Sequence, residues 1–195
     1  MTTADRATSV PTQASRAESR YTLTAQALHW LTALLILAIL PIAWVMFNMP
    51  KDAPERGLLF TIHKALGLTI WALVVIRLLW RARYHAPTLA NGLAHWQVVT
   101  AHASHWLLYL VLFFMPISGY VSSAAGGHPV TYFGLYTLPG LAKDEGLEHA
   151  ATSAHLAGQW ILYALILLHV AAATWHAAIR RDGVINRILP PQQRV

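Results

Sequence analysis

AATSAHLAGQWILYALILLHVAAATWHAAI, residues 150–179, decides the fold, because this stretch is apolar and contains no Asp, Glu, Lys or Arg. At about 1.5 Å per residue, a helix of this length can cross the roughly 30 Å hydrocarbon core of a bilayer. The stretch contains His155 and His169, fourteen residues apart. On a helix that interval turns the two imidazoles to within about 40° of one direction and separates them by about 21 Å. It therefore predicts a transmembrane helix with one histidine near each membrane surface, and histidines at that depth indicate function.

The composition of the whole chain favours one integral membrane domain. Its 195 residues are 56% hydrophobic and only 11% charged. The polar segment 1–20 lacks the apolar core of a signal peptide and predicts a flexible cytoplasmic tail before a domain over 21–190. There is no cysteine, which excludes thiolate-held iron–sulfur clusters and c-type haem, so a redox metal must be held mainly by histidine. The net charge is +6, but the basic residues form no stripe with interleaved aromatics, so no nucleic-acid partner is expected.

Three more apolar spans precede residues 150–179 in the chain. Each is long and apolar enough to cross a bilayer, where a helix satisfies every backbone hydrogen bond internally. The chain is therefore expected to form an all-α membrane four-helix bundle with four transmembrane helices. The expected spans are 27–47, 62–80, 104–124 and 152–179.

The distribution of Lys and Arg predicts the orientation of the bundle. Arginines dominate the N-terminal tail, the connection between spans two and three, and the C-terminal tail, whereas the other loops mix basic and acidic residues. The positive-inside rule then places both termini in the cytoplasm. The loop 125–153 becomes the largest exposed piece on the outer side, and its aromatic segment 132–136 is expected at the membrane interface.

Depth in the membrane decides which histidines can meet. His63 begins span two on the outer side, at the depth of His155, whereas His29 lies near the inner side, at the depth of His169. We therefore expect two pairs, each able to bind the iron of one haem from its two faces. Zinc is a less natural occupant, because its ligands usually cluster at one point. An iron with two imidazole ligands has no open position and suits one-electron transfer.

Other residues have more than one interpretation. Arg77, fourteen residues after His63, is a candidate to pair with a haem propionate. Gly67 and Gly158 either admit a flat macrocycle or serve ordinary helix packing. His176 and His105 are candidates for a quinone or proton site, and a histidine at the headgroup level is the alternative for His176. The histidines expected in loops facing solvent are His85, His95, His128 and His149.

Five motifs together resemble the bacterial cytochrome b561 family over about residues 21–190. These are Ala27-Leu28-His29-Trp30; Ile62-His63-Lys64-Ala65-Leu66-Gly67; Val75-Ile76-Arg77-Leu78-Leu79; Met115-Pro116-Ile117-Ser118-Gly119; and Leu168-His169-Val170-Ala171-Ala172-Ala173 followed by His176. The resemblance implies a multi-pass inner-membrane protein with two non-covalent haem b groups. The axial ligands that it implies are His29, His63, His155 and His169.

The resemblance further implies electron exchange with ubiquinone and, as the activity, superoxide oxidase, which oxidises periplasmic superoxide to dioxygen. Lys51, Arg56 and Lys64 would then attract the anion near the outer haem. No residue is assigned as catalytic. The alternative is a membrane-anchor cytochrome b subunit that relays electrons to or from a dehydrogenase, hydrogenase or soluble cytochrome. A transporter is disfavoured, because no Asp or Glu occurs within any span.

Overall fold

The computed structural model describes residues 20–87 and 94–190, so most of the predicted tail, residues 1–19, lies outside the described residues. Within that part of the chain, four long helices make up most of the structure. They are α1 (Leu23–Asn48), α2 (Arg56–Arg83), α3 (His95–Ala125) and α4 (Glu145–Trp175). A π-helix, His176–Arg180, continues α4 and is followed by a 3₁₀ turn, Ile185–Arg187.

Each of these four helices is long and apolar enough to cross a membrane. Helices that follow one another in the chain pack side by side, α1 on α2, α2 on α3 and α3 on α4. Short connections between long helices favour such antiparallel neighbours. The predicted all-α membrane bundle is confirmed.

All four helices begin earlier than their apolar spans predict, and the extensions are longest in α3 and α4. The α3 helix begins at His95, where the Gln97 side chain accepts a hydrogen bond from the Ala94 N–H and closes the first turn. The α4 helix begins at Glu145, after Asp144 accepts a hydrogen bond from the Leu147 N–H. Polar caps extend both helices beyond the apolar stretch, because they satisfy N–H groups that would otherwise need water.

This extension corrects two assignments. His95 is the first residue of α3, and His149 lies in the second turn of α4. The sequence pattern predicts both as loop residues, and the structure shows that this prediction is wrong. Both remain exposed, because the turns that carry them lie at the polar ends of the helices.

A two-stranded hairpin occupies the long connection between α3 and α4. Its strands are β1 (Thr131–Tyr132) and β2 (Tyr136–Thr137), paired antiparallel. The turn residues Phe133 and Gly134 both have positive φ, 48° and 75°, as a tight hairpin turn requires. The aromatic segment 132–136 is therefore a β-hairpin. The Tyr132 hydroxyl lies 3.2 Å from Thr69 Oγ1 and holds the hairpin against α2.

The two ends of the bundle differ in what closes them. The end with the β-hairpin and the α1–α2 connection is called the hairpin end. At the opposite, terminal end, the beginning of α1 meets the end of α2 and the C-terminal segment. There the Trp80 Nε1–H donates to Thr22 Oγ1 at 3.0 Å, and the Tyr21 N–H donates to the Arg187 carbonyl at 3.1 Å.

Candidate redox site: two histidine layers

A seven-residue spacing places the chemically active side chains in layers. On α4, Leu162 lies seven residues from both His155 and His169. Residues seven apart on a helix lie two turns apart on nearly the same face. The spacing recurs on the neighbouring helices as His63, Ile70 and Arg77 on α2 and as His105, Leu112 and Gly119 on α3. Two histidine layers are thus separated by an apolar middle layer.

The middle layer contains a buried hydrophobic cluster. Its centre is a buried cluster formed by Ile70, Val74, Leu112 and Leu162, drawn from α2, α3 and α4. Val74 is completely buried. Ile36, seven residues after His29 on α1, packs against this cluster. The layer therefore separates the histidines near the two ends of the bundle with apolar side chains.

The hairpin layer contains His63 and His155. Their ring centroids lie 6.3 Å apart, with an angle of 79° between the planes. Nδ1 of His155 lies 2.9 Å from the Met115 carbonyl oxygen and 3.1 Å from Ser118 Oγ. If Nδ1 carries the proton and donates it to the carbonyl, the lone pair of Nε2 is free to bind a metal. Nδ1 of His63 is buried and has no hydrogen-bond partner among the described residues.

Glycines bring α3 and α4 close together around His155. A Cβ added to Gly119 would lie 3.0 Å from Cε1 of the His155 ring. One added to Gly158 would lie 2.5 Å from the Met115 sulfur, so Gly158 serves helix packing. Gly67 has nothing within 4 Å of such a Cβ. Open space beside Gly67 fits the interpretation that this residue admits a flat group.

The terminal layer is more crowded and contains a positive charge. The rings of His29 and His169 have centroids 6.2 Å apart, with an interplanar angle of 57°. His105 on α3 adds a third imidazole, whose ring centroid lies 5.4 Å from that of His169. The Arg77 guanidinium lies 5.2 Å from the Tyr109 ring centroid, and its Nη2 lies 3.3 Å from Nδ1 of His29. Arg77 is therefore in the terminal layer, at the depth that its spacing from His63 predicts.

His176 lies at the terminal end and pairs with a carboxylate. Its Nδ1 is 2.6 Å from Oδ2 of Asp182, and Arg180 approaches the same oxygen at 3.6 Å. Burial raises the pKa of Asp182, but hydrogen bonds from His176 and the Val184 N–H, together with nearby positive charge, hold that pKa below its ordinary value. The two residues lie at opposite ends of a π-helix, which begins at His176 and ends two residues before Asp182; this conformation often occurs at functional sites.

The three cations predicted to attract an anion have different surroundings at the hairpin end. Lys64 adjoins His63, and its Nζ donates to the Pro129 carbonyl at 3.2 Å. Arg56 donates from Nε to the Met46 carbonyl at 3.2 Å, near the end of α1. Lys51 is exposed in the α1–α2 connection. Lys64 is thus the cation adjacent to the hairpin layer.

Several contributors to these layers escape prediction from sequence. Met115, Ser118 and Gly119 hold His155, although the sequence shows them only as part of a motif. Asp182 lies in the polar stretch that follows span four, where nothing in the sequence marks it as the partner of His176. A serine or an acidic residue near a helix end is common, and only the packing of α3 against α4 and the turn after the π-helix give these residues their partners.

The geometry of the two pairs fits a haem iron. A metal bonded to two imidazole nitrogens at about 2.0 Å each would separate the ring centroids by roughly 6 Å. The observed separations are 6.3 Å and 6.2 Å. In residues 20–87 and 94–190, no three His, Cys, Asp or Glu side chains are arranged so that they could hold one metal ion together. Each layer instead offers an opposed pair of imidazoles, which suits the two axial positions of a haem.

A four-helix membrane bundle with paired imidazoles belongs to the class of membrane-bound b-type cytochromes. The family model described as prokaryotic cytochrome b561 matches residues 20–191. The chain therefore belongs to the prokaryotic cytochrome b561 family, which implies haem b binding and electron transfer in the membrane.

The names of three similar proteins agree with membership of that family. Cytochrome b561 homolog 2 of Escherichia coli (strain K12) is 30% identical over 87% of this chain and 91% of its own length. Cytochrome b561 homolog 1 of the same organism is 26% identical over 88% of this chain and 98% of its own length. A Yersinia pestis protein named "Probable superoxide oxidase CybB" is 27% identical over 89% of this chain and 98% of its own length. The similarity covers nearly all of each protein.

Proposed function

We propose that the protein transfers single electrons from superoxide at the hairpin end to ubiquinone at the terminal end, through two haem b groups. The observation that carries this proposal is the pair of histidine layers, His63 with His155 and His29 with His169. The fourteen-residue interval on α4 separates these layers by about 21 Å along the helix. Two redox groups at this spacing span most of the hydrocarbon core.

The proposed reaction balances over two turnovers at the hairpin end. Each superoxide loses one electron and leaves as dioxygen, and two electrons with two protons convert the quinone to quinol. Haem b supplies a reversible one-electron couple. His63 and His155 would hold the haem at the hairpin end, and this group would supply one-electron chemistry without any need for the oxygen species to bind the metal.

We further propose that the hairpin end faces the periplasm. The arginines near the terminal end, together with the positive-inside rule, support this orientation. Superoxide carries a negative charge and would approach at Lys64, with Arg56 and Lys51 adding positive charge nearby. Acidic residues in the same loops reduce the overall field, so the attraction is local to Lys64.

Arg77 is proposed to hold a haem propionate in the terminal layer. A guanidinium only donates hydrogen bonds, so its contact with Nδ1 of His29 requires that nitrogen to be the acceptor. Iron binding through Nε2 requires the other tautomer, with the proton on Nδ1. Arg77 then loses this acceptor, and a carboxylate is the partner that its fork of donors matches best.

His176 and His105 are the proposed proton-handling groups at the quinone end. His176 lies seven residues beyond His169 and is oriented by Asp182. An imidazole held by a carboxylate can accept a proton from the aqueous side and release it as the quinone is reduced. His105 lies against His169 within the terminal layer, where it can exchange protons closer to the haem.

A rapid-mixing experiment tests the donor. Purified, oxidised protein is mixed with a pulse of superoxide, and haem reduction is followed by absorbance. The proposal predicts reduction faster than spontaneous dismutation and loss of the signal when superoxide dismutase is added first. No reduction above the dismutase control would exclude superoxide as the donor. Reduction by a soluble dehydrogenase or cytochrome instead would support the membrane-anchor alternative.

A further inference from the structure

A small cavity lies between the beginning of α1 and the end of α2, at the terminal end of the bundle. Its volume is about 80 Å³. That volume is several times the room that one water needs, but it is well below the roughly 300–1,000 Å³ of sites for organic ligands. A compact polyatomic ion such as phosphate is therefore the size of group that it admits. The lining includes Arg20, Thr22, Ala25, Trp80, Tyr84 and His85.

The polar side chains of this cavity have unused hydrogen-bond donors. Thr22 Oγ1 accepts from the Ala25 N–H at 3.2 Å and from the Trp80 Nε1–H at 3.0 Å. Both lone pairs of that oxygen are then used, and its own proton remains to be donated. Arg20 is half-buried, and a guanidinium can only donate. Within residues 20–87 and 94–190, no carboxylate or carbonyl accepts from the side chain of Arg20 or of His85.

Positive charge surrounds the cavity. The α1 helix begins directly after its N-cap, Thr22, and a helix N-terminus carries a partial positive charge. Arg83 stacks on the Tyr84 ring, with its guanidinium carbon 5.2 Å from the ring centroid. Among the acidic residues that the structure describes, only Asp182 lies at the terminal end, and it is already paired there. The site therefore favours an anion.

The cavity lies at the depth where a bilayer has its headgroups. Both α1 and α2 are apolar enough to cross a membrane, and the cavity lies beside the first residues of one and the last residues of the other. Trp80 and Tyr84 stack at this end of α2, with ring centroids 4.4 Å apart. Such aromatic residues are enriched at the membrane–water interface. A phospholipid can therefore place its phosphate in the cavity while its tails remain in the hydrocarbon core.

We propose that this cavity binds the phosphate group of an anionic phospholipid. Arg20 donates to two phosphate oxygens with its planar fork, and Thr22 and His85 donate to the remaining oxygens. Basic pockets beside transmembrane helices suit such headgroups, because the phosphate and the cations attract each other at the membrane surface. The site does not depend on the proposed function, since none of its residues is a candidate haem ligand.

Native mass spectrometry of the full-length, haem-loaded protein tests this site, because it counts the lipids that stay bound. Delipidated protein in detergent is titrated with phosphatidylglycerol, and we expect one tightly bound lipid per chain. For Arg20→Gln, the affinity should fall about tenfold or more, because a hydrogen bond between two charged groups is lost. Phosphatidylcholine should bind the wild type about tenfold more weakly, because its choline places a positive charge near Arg20 and Arg83.

Two further variants keep the test decisive. Arg181→Gln is the matched control, because Arg181 is an arginine of the same end whose Nε donates to the Ala178 carbonyl at 3.1 Å. It should bind phosphatidylglycerol as the wild type does. Ala25→Leu fills the cavity without removing a charge and should weaken the lipid at least as much as Arg20→Gln. Haem content and thermal melting of every variant show whether it folds.

Several results would overturn the proposal. A wild-type chain without a tightly bound phosphatidylglycerol would do so, as would wild-type affinity in both Arg20→Gln and Ala25→Leu. Equal loss of affinity in Arg181→Gln would mean that any arginine at this end attracts the lipid. Displacement of the lipid by excess inorganic phosphate would assign the cavity to a free anion instead. The haem spectrum should be unchanged in every variant, so failure of the lipid site leaves the proposed electron transfer intact.

Discussion

The hairpin and terminal layers each contain a pair of imidazoles about 6 Å apart, but their surroundings differ. In the hairpin layer, neutral groups hold the pair, with His155 against the Met115 carbonyl and Ser118. In the terminal layer, Arg77 and His105 accompany the pair. The hairpin layer suits electron transfer alone, whereas the terminal layer can also hold an anion and exchange protons. That difference agrees with a one-electron donor at one end and a proton-consuming acceptor at the other.

Removing one ligand histidine should have the largest effect. In the proposed arrangement, His155→Ala would leave the iron of the hairpin layer with one protein ligand, and His169→Ala would do the same in the terminal layer. We expect each variant to retain about one haem per chain where the wild type retains two. The pyridine haemochrome assay against protein concentration measures this ratio. His149→Ala, an exposed histidine on the same helix, is the control, and full retention in both ligand variants would contradict the pairing.

Replacing Arg77 should affect only the terminal layer. A hydrogen bond to a charged group contributes about 1.5 to 3 kcal/mol, so Arg77→Leu should weaken the terminal haem roughly ten- to a hundredfold. Titration of haem into the apo-protein measures this affinity for each site. Arg83→Leu is the control, because Arg83 stacks on Tyr84 at the end of α2. Equal weakening of both haems would show that Arg77 is a general structural residue.

Adding a methyl group at Gly119 should affect only the hairpin layer. The new Cβ would lie 3.0 Å from the His155 ring, so the ring or α3 must move. Overpacking of this kind costs about 1 to 3 kcal/mol, and we expect weaker haem binding at the hairpin site with a shifted absorption band. Gly57→Ala, which has open space around the added Cβ, should leave the spectrum unchanged. A wild-type spectrum for Gly119→Ala would mean that His155 does not need this close approach.

Neutralising Lys64 should have the smallest effect, on rate alone. Lys64→Gln removes the positive charge beside the hairpin layer, and the rate of haem reduction by superoxide should fall about two- to fivefold at low salt. The difference should shrink at high ionic strength, because salt screens exposed charges. Arg83→Gln removes a charge at the opposite end of the bundle and should leave the rate unchanged. A loss that does not depend on salt would indicate a packing role for Lys64.

The pairing of the histidines could be predicted from the sequence because helix geometry is fixed. Once His155 and His169 are on one transmembrane helix, the direction of each other span determines which histidine lies at which depth. The pairing of His176 with Asp182 depends on a tight turn after the π-helix, which the apolar pattern does not specify. His95 and His149 were predicted wrongly as loop residues, because hydrogen-bonded caps rather than apolar content determine where α3 and α4 begin.

The contact between the C-terminal segment and α1 could not be predicted, for a different reason. There the Trp30 Nε1–H donates to the Ile188 carbonyl at 3.0 Å. Contacts between residues so distant in sequence have no periodic signal.

The most direct test of the central claim is the haem content and spin state of the purified wild-type protein. We predict two haem b groups per chain, both low-spin in the electron paramagnetic resonance spectrum of the oxidised protein, because two imidazoles would ligate each iron in the proposed arrangement. One haem per chain, or a high-spin iron with an open axial position, would contradict the assignment of one haem to each histidine layer.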